Sequence, residues 1–199
     1  IRQVNSERMP VTAQLDFTAT PRFTKGAIFP WTISDYPLKQ AIIDNVVKRP
    51  VKGKANIEEA KSDIASVRYK GFLTAGVERW VEYRRELAPL KRTPILFVML
   101  NSSDEADDVA DWLRTAYPEY FGKEKTLVIH TDLKGEVSKK ELDKARKAAR
   151  EVDLDTSPVN AIVSVLMLRE GWDVKNVTVV VGLRPYSAKA NILPEQTIG

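Results

Sequence analysis

Ser164-Val165-Leu166-Met167-Leu168-Arg169-Glu170-Gly171-Trp172-Asp173-Val174 gathers a hydroxyl, a glycine and carboxylates into one short stretch. Its hydroxyl sits at the end of an apolar run. A hydroxyl and free backbone N–H groups at a strand end are suited to holding a phosphate. Gly171 permits close approach of a ligand to the backbone. Asp173, two residues on, is placed to accept from a sugar hydroxyl. The same stretch also fits a plain strand–turn–strand connector with a routine glycine turn. Two further groups are weaker alone. In Thr18-Ala19-Thr20-Pro21, two hydroxyls flank a small residue and are suited to hydrogen bonding across a domain interface. Gln196-Thr197-Ile198-Gly199 pairs an amide with a nearby glycine.

Other chemistry is excluded by what the chain lacks. There are no cysteines among its 199 residues, so disulfides, a thiolate nucleophile and cysteine-ligated metal centres are ruled out. His130 is the single histidine, which excludes a His-rich metal site or a triad with its own histidine. At the end of a strand, His130 reads as structural. No Gly-x-x-x-x-Gly-Lys-Ser/Thr phosphate loop occurs.

The elements that must position these groups follow from hydrophobic period. Residues 94–100 (PILFVML) form a continuous apolar run, the pattern of a fully buried parallel strand. Residues 126–130 (TLVIH), 160–165 (NAIVSV) and 177–183 (VTVVVGL) predict three more strands. Ser102 and Glu105 form a capping box that opens a helix with Ala106, Val109, Trp112 and Leu113 inward. Ser138 and Glu141 form a second box, for a helix to about residue 150. Upstream, 57–69 and 72–90 are helical candidates. The second carries Leu73, Val77, Trp80, Val81 and Leu87 as its apolar stripe, with Trp80 in the core and Pro89 as the stop. Residues 38–47 predict a helix with Ile42, Val46 and Val47 at helical spacing, and 11–17 (VTAQLDF) a short strand. The alternation from residue 94 onward predicts an α/β parallel sheet with helices on both faces. Its ligands would sit at the carboxyl ends of the strands, at residues 101–103, 131–132, 164–173 and 183–187.

Taken in order, the three groups resemble motifs III, V and VI of superfamily 2 helicases and translocases. The chain is most similar to the Res subunit of type III restriction enzymes. That similarity rests on Thr18-Ala19-Thr20-Pro21, the Tyr36-Pro37-Leu38 stretch running to Val47-Lys48-Arg49-Pro50, Glu170-Gly171-Trp172-Asp173 with Asn176-Val177, and Gln196-x-x-Gly199. The resemblance implies residues 1–54 as the tail of a first RecA-like lobe with its linker. It implies 55–199 as a second RecA-like lobe cut at motif VI. It assigns Thr18 and Thr20 to coupling, Gly171, Asp173, Gln196 and Gly199 to ATP, and Ser164, Asn101 and Thr131 to nucleic acid. It implies ATP and Mg²⁺ as cofactors, held mainly by the first lobe. Double-stranded DNA would be a partner, together with a Mod-like DNA methyltransferase subunit. The phosphate loop and the motif VI arginines of the family are missing from the chain, so it is expected to be inactive alone. The strand at 11–17 is expected to pack on the second lobe in a non-native way or to pair with another molecule, lacking its own sheet neighbours. Two other readings stay open: a superfamily 2 DNA helicase without a nuclease, and a non-catalytic nucleic-acid-binding scaffold with a degenerate motor fold.

Asp104-Glu105-Ala106-Asp107 spells a motif II signature of one helicase subfamily. It follows the expected position of motif III, however, and Asn101-Ser102-Ser103 separates it from the strand. These carboxylates read as first-turn acids favoured by the helix dipole. Lys139, Lys140, Lys144, Arg146, Lys147 and Arg150 form either a phosphate-facing patch or a solvated helix face. Trp172 reads as packing between lobes. Lys and Arg total 31 against 27 acids, a net +4 that permits nucleic-acid binding without arguing for it. No signal peptide and no apolar run long enough to span a bilayer is present, so a cytoplasmic setting is expected.

Overall fold

The structure is a computed structural model that describes residues 15, 27, 29–30, 32–54, 56–129, 147, 151–154, 156–165 and 174–183. Four apolar, largely β-branched runs form its frame: β1 (Ile95–Leu100), β2 (Thr126–Ile129), β3 (Ala161–Val165) and β4 (Val177–Gly182). They make one sheet in the order β2-β3-β1-β4, and every pair is parallel. The expected α/β parallel sheet is therefore present, an architecture consistent with a RecA-like lobe.

β1 is central and buried along its whole length. Its alternate side chains enter two cores. Leu96, Val98 and Leu100 meet α3 (Lys70–Leu87) and α4 (Ser103–Ala116) on one face, while Ile95, Phe97 and Met99 join Ile129, Val152 and Ile162 on the other. Fully burying an aliphatic side chain is worth roughly 1.5–3 kcal/mol, so this doubly covered strand anchors the sheet. At Gly76, α3 comes so close to β4 that a Cβ there would lie 2.4 Å from Val181 Cγ2.

Several helix expectations need correction. Only Ala65–Arg68 (α2) is helical within 57–69. Ser62 Oγ accepts from the Ile64 N–H (3.1 Å), and such side-chain bonding competes with a helix. The helix at 38–47 stops early, as α1 (Leu38–Ile43), because Asn45 turns the chain into the left-handed region at φ 57°. Ala41 is its buried residue, while Val46 is 69% exposed. α3 ends at Leu87, and Pro89 lies in the 3₁₀ turn Ala88–Leu90 that follows it. Trp80 is fully buried as expected, but Trp112 is only half-buried, at the margin of the core against Tyr117. A four-residue helix, α5 (Pro118–Phe121), leads through a 3₁₀ turn (Lys123–Lys125) into β2. The strand at 11–17 lies outside the described residues except for Leu15, and so do the capping box of Ser138 and Glu141, His130 and Trp172.

The connections fix where the sheet opens. The chain leaves β1 over the α3 face, through α4, to reach β2. Val152, between β2 and β3, and Val174, between β3 and β4, pack on the opposite face. The chain that follows β1 thus packs on one face, and Val174, which precedes β4, on the other. In open parallel sheets ligands bind in a crevice at the carboxyl edge, where connections of neighbouring strands leave to opposite faces.

Candidate functional site

At that crevice the register sets Met99 beside Ser164 and Leu100 beside Val165. The Leu183 N–H donates to the Met99 carbonyl (2.9 Å), tying the exit of β4 to β1. Asn101 is the first residue past β1 and is exposed, in the place where a nucleic-acid contact was expected. Ser102 is the N-cap of α4: its Oγ accepts from the Glu105 N–H (3.3 Å). Glu105 turns back, and its Oε2 accepts from the Asn101 N–H (3.2 Å). The capping box read from the sequence is thus present, with the return bond one residue earlier than its usual partner.

The other oxygen of Glu105 receives the Arg68 guanidinium in an ion pair whose side chains are 24% and 21% exposed. Burial lowers the Arg68 pKa, but hydrogen bonds to Tyr69 and Glu105 outweigh it, and the net shift is upward. Asp108, almost one turn along α4, accepts from the Ser66 N–H (2.6 Å) and Oγ (3.1 Å). Glu105 and Asp108 therefore clamp α2 onto α4. The Asp-Glu-Ala-Asp lettering lies in the first turns of α4, with Asp104 and Glu105 where the helix dipole favours acids. Neither Arg68 nor Ser66 carried a sequence signal for this clamp, because the pairing spans about 40 residues of chain.

Ser164 is not past the end of its strand. It is still paired with Met99 on one side and Ile129 on the other, and the layer closes over its side chain to 1% exposure. Its Oγ is buried without a hydrogen-bond partner among the described residues. Thr18, Thr20, Thr131, Gly171, Asp173, Gln196 and Gly199 lie outside the described residues.

The described part of this edge holds no phosphate cradle of its own. The Asn101 and Glu105 N–H groups already donate to Glu105 and Ser102, and the first turn of α4 carries negative charge. ATP and Mg²⁺ do not fit these residues. Their binding would fall to residues such as Gly171 and Asp173, which follow β3.

The stretch that begins at Tyr36 is organised around Asp44. Its Oδ2 accepts from the Tyr36 hydroxyl (2.7 Å) and its Oδ1 from the Gln40 amide (2.8 Å). The hydrogen bond to Asp44, together with burial and the carboxylate charge, raises the Tyr36 pKa. Lys48 then reaches the opening of β4. Its ammonium donates to the Val177 carbonyl (2.7 Å) and to the Lys175 carbonyl. Asp153 supports the same turn, accepting from the Lys175 N–H (2.8 Å) and the Asn176 N–H (3.0 Å). Burial lowers the Lys48 pKa, and Asp153 partly restores it. Among the described strands β4 lies at one edge, and a lysine laid on its carbonyls disfavours pairing with another strand there. No described helix is long and apolar enough to cross a membrane.

Comparison of the chain with protein-family models, with curated proteins and with solved structures gave no match.

Proposed function

We propose that the chain is part of an ATP-dependent DNA translocase of the type III restriction kind, with 55–199 as its second motor lobe and 1–54 as the tail of the first. One observation carries the reading. In the chain Glu170-Gly171-Trp172-Asp173 falls between β3 and β4, and Asn176-Val177 opens β4 of an all-parallel sheet, a class whose ligands bind at the carboxyl ends of the strands. A motor that closes two lobes on ATP needs its second-lobe glycine and carboxylate at such an edge, because phosphoryl transfer depends on positioning and charge stabilisation. In this reading Gly171 and Asp173 face the nucleotide, and Gln196 and Gly199 approach it from the same lobe. Thr18 and Thr20 couple the lobes. Asn101 and Thr131 present polar side chains to DNA. Ser164 acts through the turn it leads into, since its hydroxyl is closed inside the sheet. Double-stranded DNA is the substrate track, a Mod-like methyltransferase the partner and the cytoplasm the setting.

ATP supplies the phosphoryl group and Mg²⁺ neutralises its charge. The chain contributes position, and it lacks the phosphate loop that would hold the β- and γ-phosphates. The 199-residue chain by itself should therefore turn over no ATP above background in a coupled assay, with or without duplex DNA. A DNA-stimulated rate from the isolated chain would refute the division of labour proposed here.

A second reading is a nucleic-acid-binding scaffold on a degenerate motor fold, favoured by a described carboxyl edge whose N–H groups are already bonded and whose α4 opens on acids. A superfamily 2 helicase without a nuclease differs from the first reading only in what accompanies the motor. Duplex cleavage by the natural polypeptide in the presence of its methyltransferase separates those two.

A further inference from the structure

The amino edge of the sheet lies opposite the candidate site, and the sequence motifs assign it nothing. Lys91 and Arg92 precede β1, Lys123 and Lys125 precede β2, and Lys175 precedes β4. α3 ends at the same edge with Arg84 and Arg85 in its last turn. Contacts across the fold bring these separate segments together. The Trp80 Nε1 donates to the Pro94 carbonyl (2.9 Å), and its ring packs on Tyr120 and Phe121. Arg84 lies 5.4 Å from the Trp80 ring and 5.5 Å from Tyr120. Asn160 joins β3 to this assembly, donating to the Tyr120 and Lys125 carbonyls (both 2.8 Å).

Arg84, Arg85, Lys91, Arg92, Lys123 and Lys175 are exposed. None of them forms an ion pair among the described residues. Glu86, Glu119 and Glu124 share the edge, but the balance is positive. Before β3, Glu151 pairs with Lys147 and Asp153 accepts from two backbone N–H groups. Strands lie about 4.8 Å apart, so the cations from β2 to β4 spread along roughly 14 Å. An open row of cations on a rigid edge matches a ligand that is long, stiff and uniformly charged.

We propose that this amino edge is a second contact surface for duplex nucleic acid, gripping the phosphate backbone without reading sequence. Uniform phosphate charge along a rigid rod suits cations fixed at strand starts better than an acidic peptide does, since a peptide's carboxylates are irregularly spaced and flexible. The inference does not rest on the motor reading, because it needs neither nucleotide nor a first lobe.

The test uses the 199-residue chain without nucleotide and a fluorescent duplex of arbitrary sequence, followed by anisotropy across a salt series. The variant is Arg85→Gln/Lys91→Gln/Arg92→Gln/Lys123→Gln, with its thermal midpoint checked against the parent chain. We expect about a tenfold or greater loss of affinity, and a salt slope shallower by roughly 3.6, near 0.9 for each of four phosphate contacts removed. Lys61→Gln, which removes one exposed cation away from this edge, should leave the affinity within about twofold. Unchanged affinity in the four-fold variant overturns the proposal, and so does competition by polyglutamate equal to that by unlabelled duplex. So does a loss in Lys61→Gln as large as that in the four-fold variant.

Discussion

The two edges of the sheet are built from opposite materials. At the carboxyl edge, acids crowd the first turns of α4, their charge held by Arg68 and by backbone and side-chain groups of α2. At the amino edge, cations stand exposed on a floor of Trp80, Tyr120 and Phe121. The first edge is defined by topology, because connections that leave to opposite faces create a crevice whatever the residues. The second is defined by composition, because cations from four stretches of chain meet only after folding. A mild net +4 conceals both, since it averages two local fields of opposite sign.

The contrast is broken most severely at Trp80. Its side chain is fully buried and its N–H is satisfied by Pro94. Trp80→Ala should cost about 3–5 kcal/mol in chemical denaturation. It should also disorganise the amino edge first, seen as early loss of amide protection around 120–126. Equal early loss around 101–108 would mean that the edges do not differ in what supports them.

A smaller effect is expected at the carboxyl edge. Glu105→Ala leaves Arg68, three-quarters buried, without its carboxylate and frees the Asn101 N–H. The cost should be about 1–3 kcal/mol, read as a lower denaturation midpoint with unchanged m-value. Glu105→Gln should recover part of it by restoring the bond to Asn101. A neutral Glu105→Ala would show that α2 is held to α4 by Asp108 alone.

The smallest global effect belongs to Lys48→Met. It removes the ammonium from the Lys175 and Val177 carbonyls, so trypsin should cut faster at Lys52 and Lys54 while the thermal midpoint scarcely moves. The pH dependence has a definite sign. The folded-state pKa of Lys48 is below its ordinary 10.5, so between the two values the unfolded chain binds more protons. Stability from this group therefore rises with pH across that window, and Lys48→Met should flatten the rise. Unchanged cleavage would place the anchor of 32–54 elsewhere.

The sheet was legible because its signals are local. A run such as residues 94–100 has one fate, and Ser102 with Glu105 marks a helix start wherever it occurs. The region 57–64 was misread because its helical propensity loses to a hydrogen bond at Ser62, and Asn45 ended α1 by backbone conformation that no hydrophobic period reports. Ser164 stands at the end of its apolar run, and pairing on both sides, which no local pattern reports, closes its hydroxyl inside the sheet. The Arg68–Glu105 clamp, the Lys48 contact and the amino-edge cations were invisible because each joins residues far apart in sequence.

The proposed role of this sheet is that of the second lobe in an ATP-driven motor that moves on DNA. It is tested most directly by DNA-stimulated ATP hydrolysis of the natural polypeptide that contains these 199 residues, compared with its Asp173→Asn variant. The account predicts turnover that rises with added duplex and falls by about 10²-fold in the variant, the scale on which lost positioning of a reactant acts. Hydrolysis that is absent from the natural polypeptide, or indifferent to Asp173→Asn, would contradict it.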